Sequence, residues 1–354
     1  MNTQIFKAGI IGFGYMGRFH LAHTKYIDGL EIIAAYDTDS QKLKDAASHG
    51  LRIYHTIDEL LSCPSINLII ICTPNDSHKF YSMKALNAGK NVLCEKPAAL
   101  NAAEVQEVID CANKNQKFYT VHQNRRWDPD FLVVQKILET QTIGTFTTIN
   151  SCTYGQRGVC FGWRANPESG GGMLYDWGVH LIDQMLLLYN SQKVIQIYGR
   201  LESILTPAVD DFFEAKLFFE NHTCANISVG TFALEPLPRW FVFGTRGTLK
   251  LDDFSGTSGG MSVIKKNVIG FESVIGQKNL GPSRTMAHLE PENLETLSLP
   301  DVDDCSLFFY NNLLAALRED APLSVTSDQI LRVMKIIDAV FLSAKENQII
   351  HTFI

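Results

Sequence analysis

Lys7-Ala8-Gly9-Ile10-Ile11-Gly12-Phe13-Gly14-Tyr15-Met16-Gly17 is the stretch that decides the fold. Ala8–Ile11 reads as a short buried strand, and Met16–Ile27 reads as an amphipathic helix opening directly after it. Between them stands Gly12-x-Gly14-x-x-Gly17. The first glycine permits a tight turn, the second lets backbone approach a pyrophosphate, and the third allows close helix–strand packing. The helix N-terminus offers free N–H groups and a partial positive charge to phosphates. Phe13, Tyr15 and Met16 lie in this turn and at the helix start and are expected against the dinucleotide. Asp37 closes the second expected strand, Ile32–Tyr36, at the spacing of a carboxylate that accepts from a ribose 2′-hydroxyl. It would repel a 2′-phosphate, and the next cation is Lys42. NAD is therefore favoured, with NADP as the alternative.

The alternation continues outward. Leu68–Cys72, Val92–Cys94 and Phe118–Val121 read as further buried strands, with helical patterns at Ser40–His49, Ser77–Ala88 and Ala102–Asn115. Gly89 marks one helix end, and Asn101-x-x-Glu104 resembles a capping box. Such alternation predicts an α/β fold: an N-terminal Rossmann domain, doubly wound on a parallel sheet, over residues 1–123. After Gln123 the texture changes. Asp128-Pro129 opens a helix to about Thr140. Thr145–Thr153, Val194–Leu201, Phe212–Phe219, Ala225–Thr231, Trp240–Phe243 and Thr248–Leu251 read as strands joined by short turns. One helix, Met173–Tyr189, interrupts them. A second α/β domain with a large open, mostly antiparallel sheet is expected over 124–354, for substrate binding and oligomerisation. Residues 254–300 are Gly- and Ser-rich and read as loop-heavy. A last helix from Thr326-x-x-Gln329 is expected to pack near the junction.

Composition excludes several classes. The chain has 354 residues, 45% hydrophobic and 19% charged, so it is an ordinary globular mixture rather than a disordered or fibrous one. Its 31 Lys and Arg against 38 Asp and Glu leave a net charge of −7, which gives no electrostatic footprint for nucleic acid or an anionic membrane. The eight cysteines include no C-x-x-C pair and read as buried thiols of a reducing compartment. No signal-peptide pattern and no long apolar run is present, so a cytoplasmic protein is expected. No metal site is expected either, since ligand spacing of the H-E-x-x-H kind is absent.

Two later stretches carry the chemistry. One is Cys72-Thr73-Pro74-Asn75-Asp76-Ser77-His78, followed by Val92-Leu93-Cys94-Glu95-Lys96-Pro97. The other is Trp163-Arg164, then Gly170-Gly171-Gly172-Met173-Leu174-Tyr175-Asp176-Trp177-Gly178-Val179-His180-Leu181-Ile182-Asp183. Together with the glycine turn they resemble the Gfo/Idh/MocA family, the glucose–fructose oxidoreductases and inositol dehydrogenases, over nearly the whole chain. The resemblance implies that Lys96, Asp176 and His180 are catalytic, with His180 as acid/base. It implies that Thr73, Asn75, His78 and Glu95 line the cofactor groove. It places Trp163 and Arg164 at the nicotinamide end, and it implies a homodimer or homotetramer formed through the open sheet.

The residues support the same chemistry on their own. Oxidation of an alcohol needs a base for the hydroxyl proton while a nicotinamide takes the hydride. His180 is the best base by ordinary pKa. On a regular α-helix Asp176, His180 and Asp183 share one face, so Asp176 is expected to orient His180 and Asp183 to hold a substrate hydroxyl. Lys96 lies just beyond a strand end, where open α/β sheets place ligands, and can clamp developing alkoxide. The bland alternatives are a satisfied core histidine at 180, a solvated lysine at 96, a capping residue at 78, a structural ion pair at 164 and a flexible loop at 170–172. Asn124 and Arg126, at the domain junction, bind a polar substrate or pin the domains. The leading expectation is an NAD(P)-dependent dehydrogenase of a sugar, polyol or inositol. An NAD-dependent glycoside-cleaving enzyme using transient oxidation, and a non-catalytic NAD sensor, are the competing ones.

Overall fold

The computed structural model of the protein describes residues 4–159, 162–268 and 288–354. Cys160 and, within the stretch read as loop-heavy, residues 269–287 lie outside the described residues. The first sheet is six-stranded and parallel: β1 (Phe6–Ile11), β2 (Leu30–Tyr36), β3 (Arg52–Tyr54), β4 (Leu68–Ile71), β5 (Asn91–Cys94) and β6 (Tyr119–Val121), in the order β3-β2-β1-β4-β5-β6. Helices α1 (Tyr15–Thr24), α2 (Ser40–Ser48), α3 (Ile57–Leu61), α4 (His78–Asn87) and α5 (Ala102–Lys114) connect them. Leu68–Ile71 is wholly buried, as a parallel strand with both faces covered must be. The strand order reverses between β1 and β4, and a ligand crevice belongs beyond the carboxyl ends there. Gly12 follows β1, Cys72–Asn75 follow β4, and Glu95-Lys96 follow β5, so all three motifs reach that crevice.

After α6 (Pro129–Thr140) and β7 (Phe146–Tyr154), the predicted helix over 173–189 divides. Leu174–Gly178 forms a π-helical turn and α7 (Val179–Leu188) continues from it. The second sheet adds β8 (Val194–Glu202), β9 (Phe212–Phe219), β10 (Cys224–Gly230), β11 (Trp240–Gly244), β12 (Gly247–Leu251), β13 (Gly259–Ile264), β14 (Leu294–Leu297) and β15 (Ile350–His351). Its order is β14-β13-β12-β11-β7-β10-β9-β8-β15, antiparallel except where β7 pairs with β10. Side chains alternate across it. Trp240 and Val242 are buried, whereas Phe243 on the other face is 42% exposed. The stretch expected to be loop-heavy supplies an edge, because β13 pairs with β14.

Two helices close the fold. α8 (Phe308–Leu317) is not foreseen from sequence, because its apolar residues show little period and its N-cap is Leu307, without a side-chain cap. α9 (Ser327–Glu346) begins with the Thr326/Gln329 capping box. It straddles the two sheets: Asp338 accepts the Ala102 N–H at 2.9 Å, while Ser343 accepts the Gly199 N–H at 2.9 Å. No helix among the described residues is long and apolar enough to cross a membrane.

Candidate active site

A cleft of about 540 Å³ runs from the glycine turn to His180. At its first end the three glycines do three different things. Gly12 adopts φ +90°, and a Cβ there would stand 2.7 Å from the Cys72 carbonyl oxygen. A Cβ on Gly17 would stand 2.6 Å from the Gly12 carbonyl. At Gly14 a Cβ would meet nothing within 4 Å, so its face opens on the cleft. Gly14 is also the N-cap of α1, which has no side-chain cap and no acidic residue in its first turn. Those N–H groups are left for an anion. Asp37 is fixed beside them. Its Oδ2 accepts the Phe13 N–H at 2.7 Å and its Oδ1 accepts the Asp39 N–H at 2.9 Å. A carboxylate has about four lone-pair sites, so capacity for a ribose hydroxyl remains. The residues fit a dinucleotide.

The other end joins both halves of the chain. Lys96 Nζ donates to Asp176 twice, to its Oδ1 and to its backbone oxygen, each at 2.7 Å. Arg164 Nε stands 3.5 Å from the same Oδ1. Burial opposes ionisation of Asp176, but the charge and hydrogen bond of Lys96, aided by Arg164, hold its carboxyl below the usual range. His180 is 5% exposed and its Nδ1 has no hydrogen-bond partner among the described residues. Burial first, then the Lys96 and Arg125 charges, hold its imidazole well below the ordinary histidine value, so the ring is neutral. A neutral imidazole whose Nδ1 is free of partners among the described residues, beside a paired lysine in a cleft that begins at an uncapped helix start, has the chemistry to accept a proton.

Comparison with known proteins identifies the family. Residues 6–123 match the model of the GFO/IDH/MocA oxidoreductase family's NAD-binding Rossmann fold, and residues 131–250 match the GFO/IDH/MocA C-terminal domain. An oxidoreductase of Schizosaccharomyces pombe with no characterised activity is 30% identical, covering 96% of this chain and 97% of its own. The chain belongs to the GFO/IDH/MocA oxidoreductase family. Among its other relatives, the scyllo-inositol 2-dehydrogenase (NADP(+)) IolW of Bacillus subtilis is 26% identical over 99% of this chain and 96% of that protein. The crystal structure of an NAD-binding protein from Listeria innocua superposes with a TM-score of 0.89, at 35% identity, covering 99% and 97% of the two chains.

Within this family member, the expected site residues divide. Gly12, Gly14, Tyr15, Met16, Asp37, Thr73, Asn75, Glu95, Lys96, Asn124, Trp163, Arg164, Asp176 and His180 all line the cleft. Phe13 contributes only its backbone N–H, because its ring is fully buried. His78 does not face the cleft. It is fully buried, with Nδ1 2.7 Å from the Pro97 oxygen and Nε2 2.9 Å from the Thr73 oxygen, and it clips two motif loops together. Asp183 is corrected likewise, and Arg126 takes the second of its two expected roles, pinning elements together rather than lining the cleft. They form a buried two-pronged pair at 2.7 and 2.6 Å, and Arg126 also donates to Ser324 and Gln329. Arg125 takes the place in the cleft wall expected of Arg126. Asn124–Trp127 is a 3-10 turn, and at about 3 residues per turn adjacent side chains point in widely different directions.

Asp176 is the third correction. It holds Lys96 and makes no hydrogen bond to His180. The π-helical turn explains this, since it inserts an extra residue per turn and breaks the α-helical register that would align 176, 180 and 183. The 170–172 stretch is packed rather than loose: Asn75 Nδ2 donates to the Gly170 oxygen at 2.8 Å, and a Cβ on Gly170 would collide with Leu100 and stand 2.9 Å from Asn75 Cβ. Sequence reasoning also passed over Trp177, which lines the cleft with Arg125 stacked 4.3 Å from its ring centroid. Its signal was present, since it lies between Asp176 and His180.

Proposed function

We propose that the protein moves a hydride between a secondary alcohol carbon of a small polyhydroxylated molecule (a sugar, polyol or inositol) and NAD. The meeting of Lys96 with Asp176 beside neutral His180, in the cleft that starts at Gly14, carries this reading. When bound, the dinucleotide supplies a hydride acceptor at its nicotinamide. This chain's residues handle the rest. As the substrate C–H bond breaks and its electron pair leaves as hydride, the hydroxyl proton passes to His180 and a carbonyl forms. Lys96 donates to the reacting oxygen and stabilises its developing charge. Asp176 acts through Lys96, holding its Nζ at one point. In the reverse direction protonated His180 is a strong donor, because burial and two neighbouring cations disfavour its charge.

Donors and acceptors from Asn124, Arg125, Arg164 and Asp176 suit hydroxyl groups, and Trp163 and Trp177 give the same space apolar walls. The Bacillus relative's name points to a cyclic polyol with NADP. Asp37, already accepting from Phe13 and Asp39, favours NAD here. A panel of inositols, aldoses and glycosides, each with NAD and with NADP, tests the reading by the absorbance of reduced nicotinamide and by product identity. Turnover of at least one polyol with NAD is expected. Release of an aglycone without net cofactor reduction, or no turnover across the panel, overturns it.

A further inference from the structure

Behind the cleft lies a buried cluster drawn from four parts of the chain. His20 comes from α1, Glu95 follows β5, His122 follows β6 and Tyr310 lies on α8. His20 Nε2 is 2.9 Å from Glu95 Oε1, and His122 Nδ1 is 2.8 Å from the same oxygen. Glu95 Oε2 accepts the Lys96 N–H at 3.3 Å. The Tyr310 hydroxyl is 3.0 Å from His20 Nδ1. With His20 neutral these contacts define its proton: Nε2–H donates to the carboxylate and Nδ1 accepts from Tyr310.

Burial first, then His122, pushes His20 down to about 4, so at neutral pH it brings a donor and no charge. Burial pushes the Glu95 carboxyl up, but the interaction with His122 first, then the hydrogen bond of His20, outweighs it and holds Glu95 well below the usual range. No lysine or arginine side chain among the described residues hydrogen-bonds it. The same three residues are the group of possible metal ligands among the described residues, yet their ligand atoms already stand at hydrogen-bond distance from one another.

A buried carboxylate is costly, and a neutral amide would tie the same elements together. Glu95 nonetheless reaches the cleft wall beside Lys96 and His180. Lys96 directs its own charge into Asp176 at 2.7 Å. A nicotinamide ring is cationic when oxidised and neutral when reduced, so a fixed anion beside it distinguishes the two states.

We propose that His20 and His122 hold Glu95 as a permanent anion at the nicotinamide end of the cleft, and that this charge makes the site prefer the oxidised dinucleotide to the reduced one. The proposal rests on the redox reading above and adds a direction to it. A tighter grip on NAD lowers the potential of the bound couple, by about 30 mV for each tenfold difference in affinity. The bound equilibrium then leans toward alcohol and NAD, and the enzyme works more readily as a carbonyl reductase than the free couple would.

Binding of NAD and of NADH, each measured by calorimetry without substrate, tests this in the full-length protein. Glu95→Gln keeps the shape and removes the charge. It is expected to weaken NAD about tenfold or more, the scale of one charge pair at a partly buried site, while NADH changes by less than about threefold. His20→Leu should shift the ratio in the same direction. His20→Gln, whose amide N–H can replace Nε2–H, should restore most of it. Equal weakening of both forms would assign the cluster to structure alone, and unaltered affinity for both forms would remove Glu95 from the cofactor's electrostatics. Wild-type protein that binds neither form overturns the redox reading itself, which is a different result from either.

Discussion

The two ends of the cleft are built by different means. The dinucleotide end is mostly backbone: a turn at Gly12, an uncapped helix start at Gly14, and one carboxylate 24 positions beyond Phe13 held by the Phe13 N–H. Its parts lie within a few residues of a strand end, so local sequence dictates them. The reacting end is made of side chains that meet across the fold. Lys96 and Asp176 are 80 positions apart, and His20 and Tyr310 are 290 apart. Folding must bring these groups together, and each is costly to bury alone. On the proposed reading the first end binds whatever carries the phosphates and the second selects a reaction.

The sharpest break between the two ends should come from Lys96→Met. It removes the clamp and leaves the glycine turn untouched. Turnover should fall on the order of 10²–10³-fold, the usual cost of losing one charge-stabilising donor. NAD affinity, measured by calorimetry, should change far less. An equal loss of binding and turnover would mean that the two ends are one unit. Unaltered turnover would mean that Lys96 does not meet the reacting oxygen.

The same contrast explains what was legible in the sequence. Strand–helix alternation announced the first sheet, and the glycine turn and Asp37 announced the uncapped helix start and the carboxylate beside it, because period and spacing are local properties. At the reacting end Lys96, Asp176 and His180 were recognisable as residue types on motifs, but their pairing was not. Asp176 turns to Lys96 because of a π-helical turn that no local signal marks. Arg125 and Arg126 differ by one position in a 3-10 turn, and one faces the cleft while the other pairs with Asp183. His20 and His122 gave no signal, since a lone histidine on a helix or strand end gains meaning only from its distant partner. α8 was invisible for a related reason: it is apolar nearly all round and is defined by what it packs against.

The reacting end should also limit the pH range of the fold. His20 falls from 6.5 to about 4 on folding. The unfolded chain therefore binds a proton that the folded chain refuses between those values. Stability from this group is fully present above pH 6.5 and is lost as pH falls toward about 4, by on the order of 3 kcal/mol. Glu95, also depressed, adds its loss below its own ordinary value of 4.5. Urea unfolding across this range should show wild type losing more stability than His20→Gln, which cannot titrate. Parallel pH slopes for the two proteins would show that His20 is not held neutral by the fold.

The smallest effect should come from the cofactor end, and it divides that end from within. Gly12 and Gly14 are two positions apart, yet only one is required by the fold. Gly12 sits at φ +90° with the Cys72 carbonyl where a Cβ would go, so Gly12→Ala should destabilise the protein by on the order of 1–3 kcal/mol with or without dinucleotide. Gly14 is extended and faces open space. Gly14→Ala should leave the melting temperature of the free protein near wild type, because its methyl meets no protein atom. That methyl would stand where the backbone must approach a pyrophosphate, so NAD should bind about tenfold more weakly, a cost of roughly 1.4 kcal/mol. If Gly14→Ala binds NAD as tightly as wild type, the open face at Gly14 is not where the phosphates lie. If it lowers stability as much as Gly12→Ala, the space beside Gly14 is filled in the folded protein.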